Sequence, residues 1–532
     1  MSPASTERLP DGSAVDRWRT LAILCFALSV VVIDVTVLHV ASPAIADALD
    51  PSATGLLWII DVYPLIVAPL LVPMGALSDR LGRKRLLVAG LVVFGVASAL
   101  SAFAPSTGVL IAARALMGVG GAMIMPSTMS IIRDVFRDRE ERVKAIGIWS
   151  GTLAGGAAVG PLLGGFLVEH LWWGSVFLIN VPILAAILPF AVRGLPESRA
   201  ATPAPLDRTS VVLVAAGILG LAFGIKHGAK HGIADPLALV TAAGGLALLV
   251  AFTRRQLRMR VPMLDVRLFG DRAFTVAVLC VTLAIFGLVG LELFFAQYLQ
   301  LVLGLAPLEA SVRLMPLVAA TLVGSLTSAR LLARFGTRTT IAGGLALTTV
   351  ALVPLLALGV DDQYLLLWPP FVALGFGLEV ALVAANDTIL SSAPADRAGG
   401  AAAIEETAYE LGGGLGVAIL GSVAAGIYGA NLAAVPGVDG AAVADARESL
   451  GSASDVAADL PGGGAALLDA AREAFVSGLH GAVALSIALL GASAVLAWAT
   501  LRARPAPLRG AAALTAPAAA PAPPARRRAD AP

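Results

Sequence analysis

Glu405, Glu406 and Glu410, three glutamates in one apolar run, are the densest group of chemically capable side chains in this sequence. Glu406 and Glu410 are four residues apart and share a helix face, whereas Glu405 points about 100° away. Carboxylates on one face titrate as a set, one keeping its proton because its neighbour is charged. Five more acids lie inside apolar runs, namely Asp34, Asp61, Glu292, Glu379 and Asp387, against a single arginine, Arg114, at comparable depth. Arg114 can neutralise one carboxylate. The others have no cation inside the same runs, and desolvation favours the protonated form when such a group is occluded and the ionised form when it is wet. That is proton-exchange chemistry, and a carboxylate that releases a proton can accept an organic cation in its place. Trp58, Tyr63 and Tyr409 lie close to these acids in the sequence and offer ring faces to a cation, although each ring taken alone suits packing better.

The elements that must hold these groups are membrane spans. The chain has 532 residues, 58% hydrophobic and 14% charged, against about 25% charged in ordinary soluble domains. Apolar stretches of about 20 residues, enough to cross about 30 Å of hydrocarbon, begin near Leu21, Gly55, Leu86, Gly108, Val143, Trp172, Ser210, Pro236, Ala273, Leu308, Thr340, Tyr364, Gly400 and Ala474. With the N-terminus cytoplasmic, this count of fourteen spans puts all but six of the 37 Lys and Arg residues in cytoplasmic segments or tails, as the positive-inside rule requires. The six are Arg114 within a span, and Lys226, Lys230, Arg313, Arg447 and Arg472 assigned to the outside. Twelve spans with a buried hairpin is the competing count. Asp34 lies about 22 Å along the first span from Arg19, at about 1.5 Å per residue.

The expected organisation is an all-α membrane protein. Residues 1–18 form a cytoplasmic tail, 19–193 a first six-helix half, 209–253 two inserted helices, and 273–502 a second six-helix half. An extracellular segment at about 430–473 precedes the last span, and residues 503–532 are an Ala/Pro/Arg-rich tail that cannot bury a core and is expected to be disordered, with a weak attraction to anionic lipid. A net charge of +1 argues against a nucleic-acid partner. Cys25 and Cys280 read as small core residues, and the first apolar run reads as a retained span rather than a removable signal peptide. No P-loop, metal-ligand cluster or nucleophile elbow is present, so no enzyme, cofactor or metal is expected. His227 and His231 are four apart in what reads as an external loop without a third ligand.

The turn between the second and third spans reads Gly75-Ala-Leu-Ser-Asp79-Arg80-Leu-Gly82-Arg83-Lys84-Arg85. It resembles the cytoplasmic loop between helices 2 and 3 of the major facilitator superfamily, whose pattern is a glycine, Asp-Arg, then Gly-Arg-Arg/Lys. The resemblance implies a latch role for Gly75, Asp79, Arg80, Gly82 and Arg83, with Asp79 holding helix termini across the two halves. A degenerate echo, Arg334-Phe-Gly336-Thr-Arg338, lies eight spans later with Ala333 at the aspartate position. Gly160-Pro161-Leu-Leu-Gly164-Gly165 resembles the antiporter motif of exporters in this superfamily, and Gly412-Gly413-Gly414-Leu-Gly416 is its counterpart eight spans on; small residues let helices approach closely.

Asp34, Thr36 and Pro43 in the first span, with Arg114 and Gly118 in the fourth, resemble segments of the 14-helix drug:proton antiporters. Asp61, together with the Glu405-Glu406-Thr-Ala-Tyr409-Glu410 run, is similar to the branch that exports quaternary ammonium compounds and dyes. Departures are Met117 where Gln is usual, His39 where Asn is common, and no acid in the tenth span, which disfavours dications unless Glu292 or Glu379 substitutes. The resemblance implies a monomeric exporter in a bacterial cytoplasmic membrane, with both termini cytoplasmic, that exchanges protons for lipophilic organic cations. Asp34 and Glu406 lead as coupling or cation sites, Asp61 and Glu410 follow, Glu405 is a neighbour, and Arg114 tunes Asp34. A dedicated exporter of one secondary metabolite is the alternative.

Overall fold

The computed structural model describes residues 6–8, 14–136, 138–199, 207–232, 234–260, 262–393, 398–432, 435, 438–460 and 464–501. The tail expected at 503–532, with its arginines, lies outside the described residues. A short antiparallel ribbon, β1 (Thr6–Arg8) and β2 (Ala14–Asp16), precedes the helices. The first six spans are α1 (Arg17–Leu49), α2 (Ala53–Leu81), α3 (Arg83–Ala102), α4 (Thr107–Val135), α5 (Arg139–His170) and the pair α6 (Ser175–Leu178) with α7 (Asn180–Gly194). Then come α8 (Arg208–His231) and α9 (Pro236–Arg258). The second half comprises α10 (Arg272–Gln297), α11 (Pro307–Leu352), α12 (Tyr364–Ser392), α13 (Ala398–Asn431) and α16 (Gly464–Thr500), with the short α14 (Gly440–Ala446) and α15 (Leu450–Asp459) before the last.

Twelve helical stretches among the described residues are long and apolar enough to span a membrane. The stretch Pro307–Ala357 is two spans joined at Gly336, and α5 adds the remaining one, which makes fourteen. The protein is therefore a multi-pass membrane protein. One face carries the α2–α3 and α4–α5 turns and the start of α1 and is rich in Arg and Lys; it is called the basic face below.

Apolar side chains gather in two large clusters, one from α1–α7 and one from α10–α16. The inserted pair is separate: α8 packs on α9 and reaches α2 and α13, with Ile218 and Ala222 against Leu65. The internal repeat is structural as well as textual. Gly82 (φ 113°) and its echo Gly336 (φ 75°) both turn the chain at the basic face, in a left-handed region costly for any residue with a Cβ. Gly82 is also crowded by the carboxylate of Glu197.

The two glycine motifs do equivalent work. Gly156, Gly160 and Gly164 lie on α1, against Val32, Thr36 and Val37, while Gly165 meets Leu308 and Ser311 of α11 in the other half. Correspondingly, Gly412 and Gly416 lie on α10, and Gly414 meets Leu65 of α2. Each motif thus binds its own half with one face and the opposite half with another. The segment at 430–473 is shorter than its sequence suggests, because α16 begins at Gly464, ten residues before the expected Ala474. Its α14 and α15 form a cap on the face opposite the basic one, tied down where Tyr428 Oη donates to Ala446 O at 2.8 Å.

Candidate functional site

The membrane-embedded acids fall into two kinds. Asp34 is 2% exposed on α1. Arg114 of α4 donates Nη1 to one of its oxygens, and Asn180 Nδ2 of α7 donates to the other at 3.0 Å. Arg114 is held by the Ile59 carbonyl at 3.3 Å and by the rings of Tyr63 and Phe177 at 5.0 and 5.8 Å. The Arg114–Asp34 pairing expected from the sequence is present; Asn180 has no motif around it and was missed.

Asp61 corrects the sequence reading. It is 0% exposed and accepts from Lys226 Nζ at 2.7 Å. Lys226 was assigned to the outside, yet α8 runs on to His231, so its ammonium turns inward to α2 and only 2% of the residue is exposed. The eight acids therefore face two internal cations rather than one. The same ammonium sits 3.8 Å from the centre of the Trp58 ring, and Arg114 covers Tyr63, which is itself buried. Two of the three rings expected to contact cargo, Trp58 and Tyr63, thus already hold a protein cation. His227 likewise lies within α8 rather than in a loop, with Nε2 3.3 Å from Asp235.

The acids of the second half are different. Glu292 (α10), Glu379 (α12) and Glu405, Glu406 and Glu410 (α13) are all partly exposed. Among the described residues none of Glu379, Glu405, Glu406 and Glu410 has a basic side chain within ion-pair distance, and Glu292 is 3.8 Å from the ring of His39. Tyr409 is 43% exposed and lies within electrostatic reach of Glu292, Glu379, Glu405 and Glu410. Acids from three helices, α10, α12 and α13, thus converge on one exposed ring. Tyr63 lies within electrostatic reach of Asp34, Glu406 and Glu410 together, so both the paired and the unpaired acids act on it. Asp387 is exposed near the basic end of α12. Glu405 lies inside α13, not at its cap.

Within the latch motif, Asp79 and Arg83 bind inside one half. Asp79 accepts from Arg83 Nε and Nη2 at 3.1 and 2.8 Å, and Arg83 also pairs with Asp134 of α4. The cross-half contact assigned to Asp79 is made at the opposite face by another acid: Glu169 of α5 accepts from the amide of Leu308 at the start of α11, at 3.2 Å. A carboxylate at a helix N-terminus complements its dipole. Ser311 Oγ donates to Pro161 O at 2.7 Å and Gln300 Nε2 to Val40 O at 3.0 Å at the same level. The halves are thus sealed together at the face away from the basic one, which leaves Asp79 with local partners.

The Major Facilitator Superfamily profile matches residues 24–417. The chain belongs to this superfamily. Among relatives of this facilitator, the multidrug efflux pump LfrA of Mycolicibacterium smegmatis is 43% identical over 92% of this chain and 97% of the relative. The methyl viologen resistance protein SmvA of Salmonella typhimurium is 40% identical over 86% and 93%. A bacterial homologue of the human lysosomal transporter Spinster, solved inward-facing and unoccupied, shares the facilitator fold with a TM-score of 0.65 at 20% identity, over 91% of this chain and 97% of that one. Its similarity in sequence and fold makes the protein a facilitator of the drug-exporter kind, not an enzyme.

Proposed function

We propose that this facilitator exports lipophilic organic cations in exchange for protons, as a monomer in a bacterial cytoplasmic membrane with both termini cytoplasmic. The observation that carries the reading is the set of partly exposed acids without basic partners around Tyr409, which can hold either protons or a cation. The positive-inside rule makes the basic face cytoplasmic, so the seal at Gly165, Ser311 and Glu169 closes the external side and the acids face inward. Relatives named for multidrug efflux and for methyl viologen, an organic dication, support cationic cargo, and Glu292 and Glu379 supply the extra charge a dication needs.

A cation arriving from the cytoplasm displaces protons from Glu406 and Glu410 and lies against Tyr409. Rocking of the two six-helix halves carries the site to the outside, where protons reload the glutamates and expel the cargo. Asp34 stays closed by Arg114 and Asn180 through this step and fixes the guanidinium over the Tyr63 ring. The test is ethidium or benzalkonium export by a host lacking its own efflux pumps, across a range of external pH. Wild-type export that rises with the inward proton gradient and falls at least tenfold in Glu406→Gln supports the proposal; export of no organic cation by a well-expressed protein refutes it.

A further inference from the structure

Lys226 lies apart from the glutamates of α13, and the cargo route does not use it. Three observations define its surroundings. Its ammonium lies between a carboxylate oxygen of Asp61 at 2.7 Å and the Trp58 ring face at 3.8 Å. The other oxygen, Asp61 Oδ2, is buried and has no hydrogen-bond partner. A cavity of about 380 Å³ on the face opposite the basic one reaches Lys226 and is lined also by Ser52, Thr54, Ser422, Arg447 and Glu448.

A carboxylate and an aromatic face around one ammonium are what an organic cation requires. Desolvated ion pairs rarely add net stability over apolar packing, so the pair is a weak structural device for docking α8. We infer that Asp61 and Trp58 form a cation site that Lys226, its tethered occupant, separates from the outer cavity. Its ligand class is a small monovalent alkylammonium or quaternary ammonium ion. In the intact protein the lysine fills the site, so an ammonium ion already outside cannot rebind there. The inserted helices thereby gain a role beyond filling the seam between α2 and α13: they deliver a covalently attached competitor. Glu448 at the cavity mouth favours cation entry and Arg447 opposes it, so selectivity rests on Asp61 and Trp58.

The inference does not depend on proton coupling, and its test is read by binding. Full-length wild type, Lys226→Ala and Lys226→Gln in nanodiscs are titrated with tetramethylammonium and propylammonium chloride, with sodium chloride at equal ionic strength as the control. Lys226→Ala removes three methylenes and the ammonium and so leaves a cavity shaped like propylammonium, and Lys226→Gln keeps a donor for Asp61 and guards against failure to fold. Both variants are expected to gain one equivalent of ammonium binding, at least tenfold tighter than any in wild type, with a matching rise in melting temperature. Adding Asp61→Asn should abolish the gain and Trp58→Leu should weaken it, whereas adding Glu406→Gln should leave it intact. That last arm separates this site from the proposed transport site. No gain in either folded variant, or a gain that survives Asp61→Asn, overturns the inference.

Discussion

The acids of the first half and those of the second lie in the same membrane under different rules. Asp34 and Asp61 are buried and each is closed by one cation, Arg114 or Lys226. Glu405, Glu406 and Glu410 are partly exposed and, among the described residues, have no basic side chain within ion-pair distance. A buried charge persists only when paired, whereas a wet, unpaired carboxylate is free to exchange protons and cations. The first half therefore spends its acids on fixed electrostatics, and the second keeps its acids available.

The sharpest way to break this comparison is Arg114→Met. It leaves Asp34 buried without its cation, and removing one member of a buried pair costs about 3–5 kcal/mol. A large fall in the detergent-solubilised melting temperature is expected, and a variant that melts like wild type would place Asp34 among the exchangeable acids. Glu406→Gln should do the reverse. It removes an uncompensated charge, so folding is unchanged or improved while pH-driven export falls at least tenfold. A fall in stability matching that of Arg114→Met would erase the distinction.

Gly165→Val tests which side the unpaired acids see. A Cβ at Gly165 would lie 2.8 Å from Leu308 Cα and Pro307 O, so the branched side chain should wedge α5 from α11. Spin labels at the exposed Leu171 and Val312 should move apart, and cationic thiol reagents added from outside should reach a cysteine at Tyr409 faster.

The smallest effect is expected outside the membrane. Asp207, hydrogen-bonded to Arg255 Nε at 2.6 Å and to Ser210, is pulled down to about 2 chiefly by the Arg255 bond. Because its folded value is depressed, its contribution is present above the ordinary aspartate range near about 4 and is lost as pH falls towards about 2. Asp207→Asn should cost little at neutral pH, because solvent screens the exposed Arg255. It should also flatten the loss of stability between those limits, seen in melts across that acid range.

Much of this was legible in the chain, for specific reasons. Span length and the segregation of arginine follow from bilayer thickness and the translocation of charge, so fourteen helices and the position of the α2–α3 turn could be read directly. Gly82 and Gly336 announced the repeat because a positive φ admits few other residues. The pairing of Asp34 with Arg114 was readable from two motifs. Asn180 and Lys226 were not, since each is a lone polar residue whose partner lies 146 or 165 positions away. Asp79 carried a motif whose partner depends on conformation, and with the halves joined at the other face it turned to Arg83.

The sequence by itself determined the class of protein, the number of spans and the supply of acids, because hydropathy and charge act locally along the chain. Only the tertiary structure decided which acids are closed and which stay open. That division depends on whether a distant helix brings a cation to within hydrogen-bond distance. For Asp61 the deciding residue is a lysine that the linear pattern had placed on the wrong side of the membrane surface.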